Sequence, residues 1–112
     1  MPDDLNSGDS LDVSLKTLRL RPGLLLTIQR MREGAPVHET KFVAAIEGKG
    51  VMLTPSGADS IKTDIIVGEE YLIQGFTGQT DFSFTAPALN VFKAPFAHAL
   101  FAYPTTVKAK QV

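Results

Sequence analysis

The residues predict an all-β domain, a small antiparallel split β-barrel of about six strands. Apolar and polar residues alternate with period two through several short runs, which is the pattern of half-buried strands. From Pro22 onward those runs are separated by Gly, Pro and Asp punctuation, and none sustains a 3.6-residue period long enough for a long helix. At this chain length a closed or split barrel hides strand edges better than an open sheet does. The absence of Trp and the modest strand number leave a sandwich as the second architecture.

Residues 1–19 read as a flexible lead-in. Met1 to Ser10 are rich in Asp, Ser, Asn and Gly, which bury too little apolar area to offset their ordering entropy. Leu11, Leu15 and Leu18 come next at helical spacing, with Ser10 or Asp12 as a cap, but the run is short before Pro22-Gly23. A single helical turn and an entry strand fit it equally well.

The barrel domain is expected over residues 20–107. Leu24 to Met31 forms a strand with Leu24, Leu26 and Ile28 on one face, ended by Arg32 to Pro36. Phe42, Ala44 and Ile46 share a face of the next strand, and Glu47-Gly48-Lys49-Gly50 turns it into Val51 to Thr54, a hairpin. Pro55 to Ser60 reads as a loop, and Ile61 to Val67 as a short strand or a turn into Gly68. Tyr71 to Phe76 and Asp81 to Ala86 flank Thr77-Gly78-Gln79-Thr80, a second hairpin in which Gly78 takes positive φ at low cost. Pro87 cannot donate to a ladder, so it marks an edge or a bulge. Phe96 to Tyr103 is apolar on both faces and stops at Pro104, as a central or wrapped strand would. Lys108 and Lys110 repeat a two-residue spacing at the carboxyl end.

Composition narrows the function. The chain has 112 residues, one domain's worth, and 11 Lys plus Arg against 12 Asp plus Glu give a net charge of -1. That balance disfavours nucleic acid and anionic membranes as partners, since both select a basic face. The chain contains no Cys, which removes disulfides, thiolate metal sites and cysteine nucleophiles. The acidic, polar amino terminus is unlike a secretory signal, and no apolar run approaches the ~20 residues of a membrane span, so a cytoplasmic setting is expected.

Few residues suggest chemistry. His38 and His98 lack a second His at metal-ligand spacing, and His98 sits in an apolar run where a neutral imidazole bonded to a backbone carbonyl is the default. Glu69 and Glu70 are adjacent and would point to opposite faces of a strand; Asp59 and Asp64 read as surface charges. Ser56, Ser60 and Ser83 lack a nucleophile-elbow context. Gly48-Lys49-Gly50 is a hairpin turn rather than a phosphate loop, and Gly75-Phe76-Thr77-Gly78 lies between strands, unlike the Gly-x-x-Gly of RNA-binding modules. Arg19 with Arg21, and Arg30 with Arg32, would each share one face if extended, which makes a phosphate patch or a solvated strand edge. No catalytic, metal-binding or cofactor-binding residue is predicted.

Three blocks together resemble the amino-terminal domain of the YcgR-like flagellar brake proteins, the domain that precedes PilZ. They are Leu20-Arg21-Pro22-Gly23 with the aliphatic strand after it; Lys41 to Ile46 running to Val51-Met52-Leu53-Thr54-Pro55; and Gly68 to Ile73, Phe84-Thr85-Ala86, Pro95 and Leu100-Phe101-Ala102-Tyr103-Pro104-Thr105-Thr106-Val107. The resemblance covers about Leu20 to the end, and the order and spacing of the blocks carry its specificity. It implies that residues 108–112, with Lys108, Lys110 and Val112, are the start of an interdomain linker. It implies a split-barrel adaptor domain without catalysis that controls motility through interdomain and protein contacts. Its partners would be a PilZ domain and flagellar motor proteins, with a homodimer as a further expected state. In that family cyclic di-GMP is held mainly by the PilZ domain, through Arg-x-x-x-Arg and Asp/Asn-x-Ser-x-x-Gly. This chain has no Arg-x-x-x-Arg, and Asp81 to Ala86 approaches the second motif with Ala86 in place of Gly. The expectation is therefore a fragment, or a protein lacking PilZ, that binds the nucleotide weakly or not at all.

Two other readings stay open. Split barrels include flavin-binding oxidoreductases, an analogy from fold alone, in which Arg19, Arg21, Arg30 and Arg32 would grip the flavin phosphate. A plain oligomerisation module would use surplus aromatic surface from Phe82, Phe84, Phe92, Phe96 and Phe101.

Overall fold

The computed structural model describes residues 10–55 and 65–112. Its elements are β1 (Leu11–Val13), α1 (Leu15–Leu18), β2 (Leu25–Arg30), β3 (Val37–Ile46), β4 (Gly50–Pro55), β5 (Glu70–Phe76), β6 (Thr80–Phe92), β7 (His98–Phe101) and β8 (Val107–Gln111). The sheet runs β1-β8-β6-β5-β2-β3-β4-β7, and β7 pairs again with β6. That second pairing closes β6-β5-β2-β3-β4-β7 into a six-stranded antiparallel barrel. β8 and β1 extend the sheet from the first half of β6. The predicted all-β barrel is thus the observed fold, with two strands added. No helix among the described residues is long and apolar enough to cross a membrane.

Both predicted hairpins form where glycine permits the turn. Gly48 (φ 73) lies between Ile46 and Gly50, which face each other across β3 and β4, and Gly78 (φ 103) lies between Phe76 and Asp81 across β5 and β6. Alternation then sorts side chains into the barrel: Leu26 and Ile28 from β2, Val51 and Leu53 from β4, Tyr71 and Ile73 from β5. From β6 come Phe82, Phe84, Ala86 and Ala88, and from β7 Ala99 and Phe101. Phe101 meets Tyr71 edge to face at 5.6 Å.

The alternation fails in β3. Phe42 is buried, but Ala44 and Ile46, expected on the same face, are exposed. A register shift between Phe42 and Ala44 inserts Val43 opposite no partner and reverses the inward–outward parity of the remaining residues of the strand. Pro87 lies within β6, which runs through it from Thr80 to Phe92. It sits where the strand leaves β8, paired through Ser83, and takes up β7, paired from Ala88. Its carbonyl accepts from Ala102 N at 3.0 Å on that side, so the missing N–H falls at the exchange of neighbours and costs no ladder bond.

The ends of the chain correct two expectations. Residues 11–18 of the lead-in carry β1 and α1, and Leu15 is buried against the barrel with Val13, Leu18 and Leu20 packed around it. Residues 107–111, expected as a linker from Lys108 on, form β8, held between β1 and β6. Alternation explains it: Val107 and Ala109 are buried while Lys108 and Lys110 face out. The expected strand from Phe96 is shorter, His98–Phe101, and is central as predicted, between β4 and β6. Of Ile61 to Val67, residues 61–64 lie outside the described residues, as do residues 56–60 of the expected loop.

Thr40 is 2% exposed, and its Oγ1 has no hydrogen-bond partner among the described residues. An unpaired buried hydroxyl costs about 1–3 kcal/mol, and valine has the same shape without it. Thr40→Val should therefore raise the urea midpoint, by about 1 kcal/mol of unfolding free energy. A destabilised variant would show that the hydroxyl has a partner.

Candidate functional site

The predicted linker residues assemble into a polar face of the sheet. On β8, Lys108 stands across from Asp12 of β1 and Ser83 of β6, and Lys110 across from Asp81. Lys108 Nζ lies 2.5 Å from Asp12 Oδ1, an exposed pair that contributes about 1 kcal/mol at most. Lys108, Lys110, Asp81 and Ser83, with Ser10, Gln74 and Phe82, line a shallow groove of about 190 Å³. Val112 continues past the strand, exposed, with its N–H donating to Gln79 O at 2.9 Å.

The arginine pairs do not form the predicted faces. Arg19 caps α1 in the left-handed conformation (φ 52, ψ 52), which breaks the extended spacing to Arg21. Arg30 ends β2, and Arg32 N–H donates back to Arg30 O at 2.7 Å in a tight turn. Five residues of β2, Leu25 to Gln29, separate the two pairs by about 17 Å of strand. They do not converge on one phosphate.

The other chemical candidates also stand apart. His38 faces Ile28 across β2 and β3, while His98 begins β7. Glu70 opens β5 and Glu69 precedes it outside the strand. Asp59, Asp64, Ser56 and Ser60 lie outside the described residues. Among the described residues no group of three His, Cys, Asp or Glu could hold a metal ion.

The aromatic residues divide cleanly. Phe82, Phe84 and Phe101 fill the core, whereas Phe92 and Phe96, 37% and 47% exposed, flank the connection between β6 and β7. His98 lies between them, its ring 4.7 Å from each, stacked on Phe92 and tilted against Phe96. Its Nδ1 is 2.9 Å from Phe96 O, the backbone carbonyl contact expected for an imidazole in this run. Thr54 Oγ1 donates to Ala97 O at 2.6 Å and ties the connection to β4. Leu89 and Val91, also exposed, extend this apolar tip along β6.

A second feature escapes the alternation. Between α1 and the far half of β3 runs a groove of about 460 Å³, with Leu15, Leu20, Phe42 and Tyr103 as its floor and Lys16, Arg19 and Glu47 on its rim. Lys16 and Glu47 are 3.9 Å apart across it, both exposed. It arises because the chain before β2 leaves β3 at Gly23, whose N–H donates to Phe42 O at 2.7 Å. Gly23 (φ 94) and the left-handed Arg19 make that departure possible. Pro22-Gly23 is the one legible signal of it.

These surfaces offer apolar contact and paired charge, the equipment of recognition. No family model matches the chain, and no curated protein matches its sequence.

Proposed function

We propose that the chain is a non-catalytic regulatory domain of the flagellar-brake type, which works in the cytoplasm beside a PilZ domain that holds cyclic di-GMP. One observation supports the reading: the three sequence blocks that resemble that family contact one another in the barrel. Gly23 of the first donates to Phe42 of the second, Val51 of the second faces Phe101 of the third across β4 and β7, and within the third Tyr71 meets Phe101 edge to face. Blocks that resemble a family only by order and spacing gain weight when they account for one another's contacts.

In this reading the barrel supplies surface and leverage. Nucleotide bound between the two domains changes their relative angle and so presents or hides a face to a motor protein. The exposed Phe92, Phe96 and Leu89 are the apolar anchors such a face needs. Calorimetric titration of the purified chain with cyclic di-GMP should give no specific heat, because the ligand cage belongs to the neighbour. Addition of an isolated PilZ domain from a flagellar brake protein should then shift amide resonances of the chain in a nucleotide-dependent way. A micromolar dissociation constant for the chain alone, or amides that stay unmoved in the mixture, would overturn the proposal.

A further inference from the structure

The groove beside α1 lies where a strand is missing. β2 pairs with β3 only from Val37 to Lys41, and the bonds of Leu24 and Gly23 to Phe42 end that contact. Beyond it, Ala44, Ala45 and Ile46 of β3 pair only with β4 among the described residues, and the bulged Val43 pairs with neither strand. Four residues of strand edge, about 13 Å, therefore face the groove.

The backbone at this edge points outward at a definable place. Ile46 O accepts from Lys49 N at 2.8 Å, which directs Ile46 toward the hairpin and β4. The N–H and C=O of one strand residue point the same way and those of its neighbour the opposite way. Ala45 therefore aims its N–H and C=O into the groove, away from β4. Its side chain is small and lines the groove, so an incoming backbone can approach closely.

The rim selects the charge of what enters. Lys16 and Glu47 answer each other across the groove, which leaves Arg19 without an ion pair among the described residues. Lys16 and Arg19 against Glu47 leave the rim with one cation in excess. The floor of Leu15, Leu20, Phe42 and Tyr103 takes apolar side chains from alternate positions of an added strand.

We infer that residues 43–46 of β3 accept an acidic, extended peptide segment as an added strand, its backbone paired with Ala45 and its carboxylates met by Arg19. The site goes beyond the regulatory reading and is independent of any PilZ partner.

The test uses the intact chain, labelled with nitrogen-15, and two capped peptides, Asp-Val-Asp-Thr-Asp-Val and its counterpart with Lys at each Asp. The acidic peptide should shift the amides of residues 43–47 and slow hydrogen exchange at Ala45. Ala45→Pro, which removes the outward N–H and leaves the β4 ladder intact, should abolish both effects. Arg19→Asp, at an exposed position whose left-handed backbone Asp tolerates, should weaken binding about fivefold. It also keeps the test open if the proline variant fails to fold. Equal binding of the Lys peptide, shifts confined to the tip around Phe92 and Phe96, or unchanged affinity in Arg19→Asp would overturn the inference.

Discussion

Phe101→Ala should remove about 3–5 kcal/mol of unfolding free energy, the range for an emptied aromatic site in a packed core. Phe101 is fully buried on β7, the strand that closes the barrel. It pairs with Val51 on one side and Ala88 on the other, and its ring meets Tyr71. The cavity would open where three strands meet, and the hydrogen-bonded ladders on both sides resist its collapse. Against a total stability of about 5–15 kcal/mol, the loss leaves a marginal domain. Urea denaturation of Phe101→Leu, an intermediate truncation, keeps the measurement accessible if the alanine variant does not fold. Phe96→Ala, at the exposed tip, should cost less than about 1 kcal/mol. Equal losses at the two positions would contradict the division of aromatics between core and surface.

Gly75→Val should be the second most damaging change, and the cause is space. Gly75 faces Leu26 across β2 and Phe82 across β6. A Cβ placed on it would lie 2.5 Å from Leu26 Cδ2 and 2.7 Å from Phe82 Cζ, both tips of buried side chains. The two large residues already fill the volume over the glycine. Overpacking of this kind costs about 1–3 kcal/mol, against at most ~1 kcal/mol recovered from the better strand propensity of valine. Calorimetry should show Tm lowered by roughly 4–8 °C for each kcal/mol lost. Phe82→Leu should recover part of the loss in the double variant, since neighbours that share a volume couple. An unchanged Tm would show that the inner face has room there.

These two positions also mark what a one-dimensional pattern can show. Leu26 and Ile28 are legible as inward residues because they share one face of their strand and carry bulky side chains. Gly48 and Gly78 announce their hairpins just as locally. β8 is obscure because its buried positions are Val107 and Ala109, too little apolar bulk to outweigh Lys108 and Lys110, which suggest a solvated linker. Alternation puts Ala44 and Ile46 on the wrong face because a bulge leaves no mark in composition. Of the surfaces, surplus aromatics point to Phe92 and Phe96, but their pairing with His98 depends on the register of β6 with β7. The groove beside α1 depends on where a strand stops pairing, which only the assembled sheet reveals.

The clasp between β1 and β8 sets an order on synthesis. β1 precedes the whole barrel in the chain, and its only strand partner among the described residues comes after it, so Asp12 waits for Lys108, 96 residues later. At roughly 5–20 residues per second of translation, that wait is on the order of 5–20 s. The six-stranded ring itself waits for β7, whose last residue, Phe101, precedes Val107 by six residues, so Leu11 and Val13 stay without their strand partner for nearly the whole of its synthesis. The nascent chain thus carries β1 undocked until Val107 to Ala109 arrive, and the strand that docks it also brings Val107 to the core.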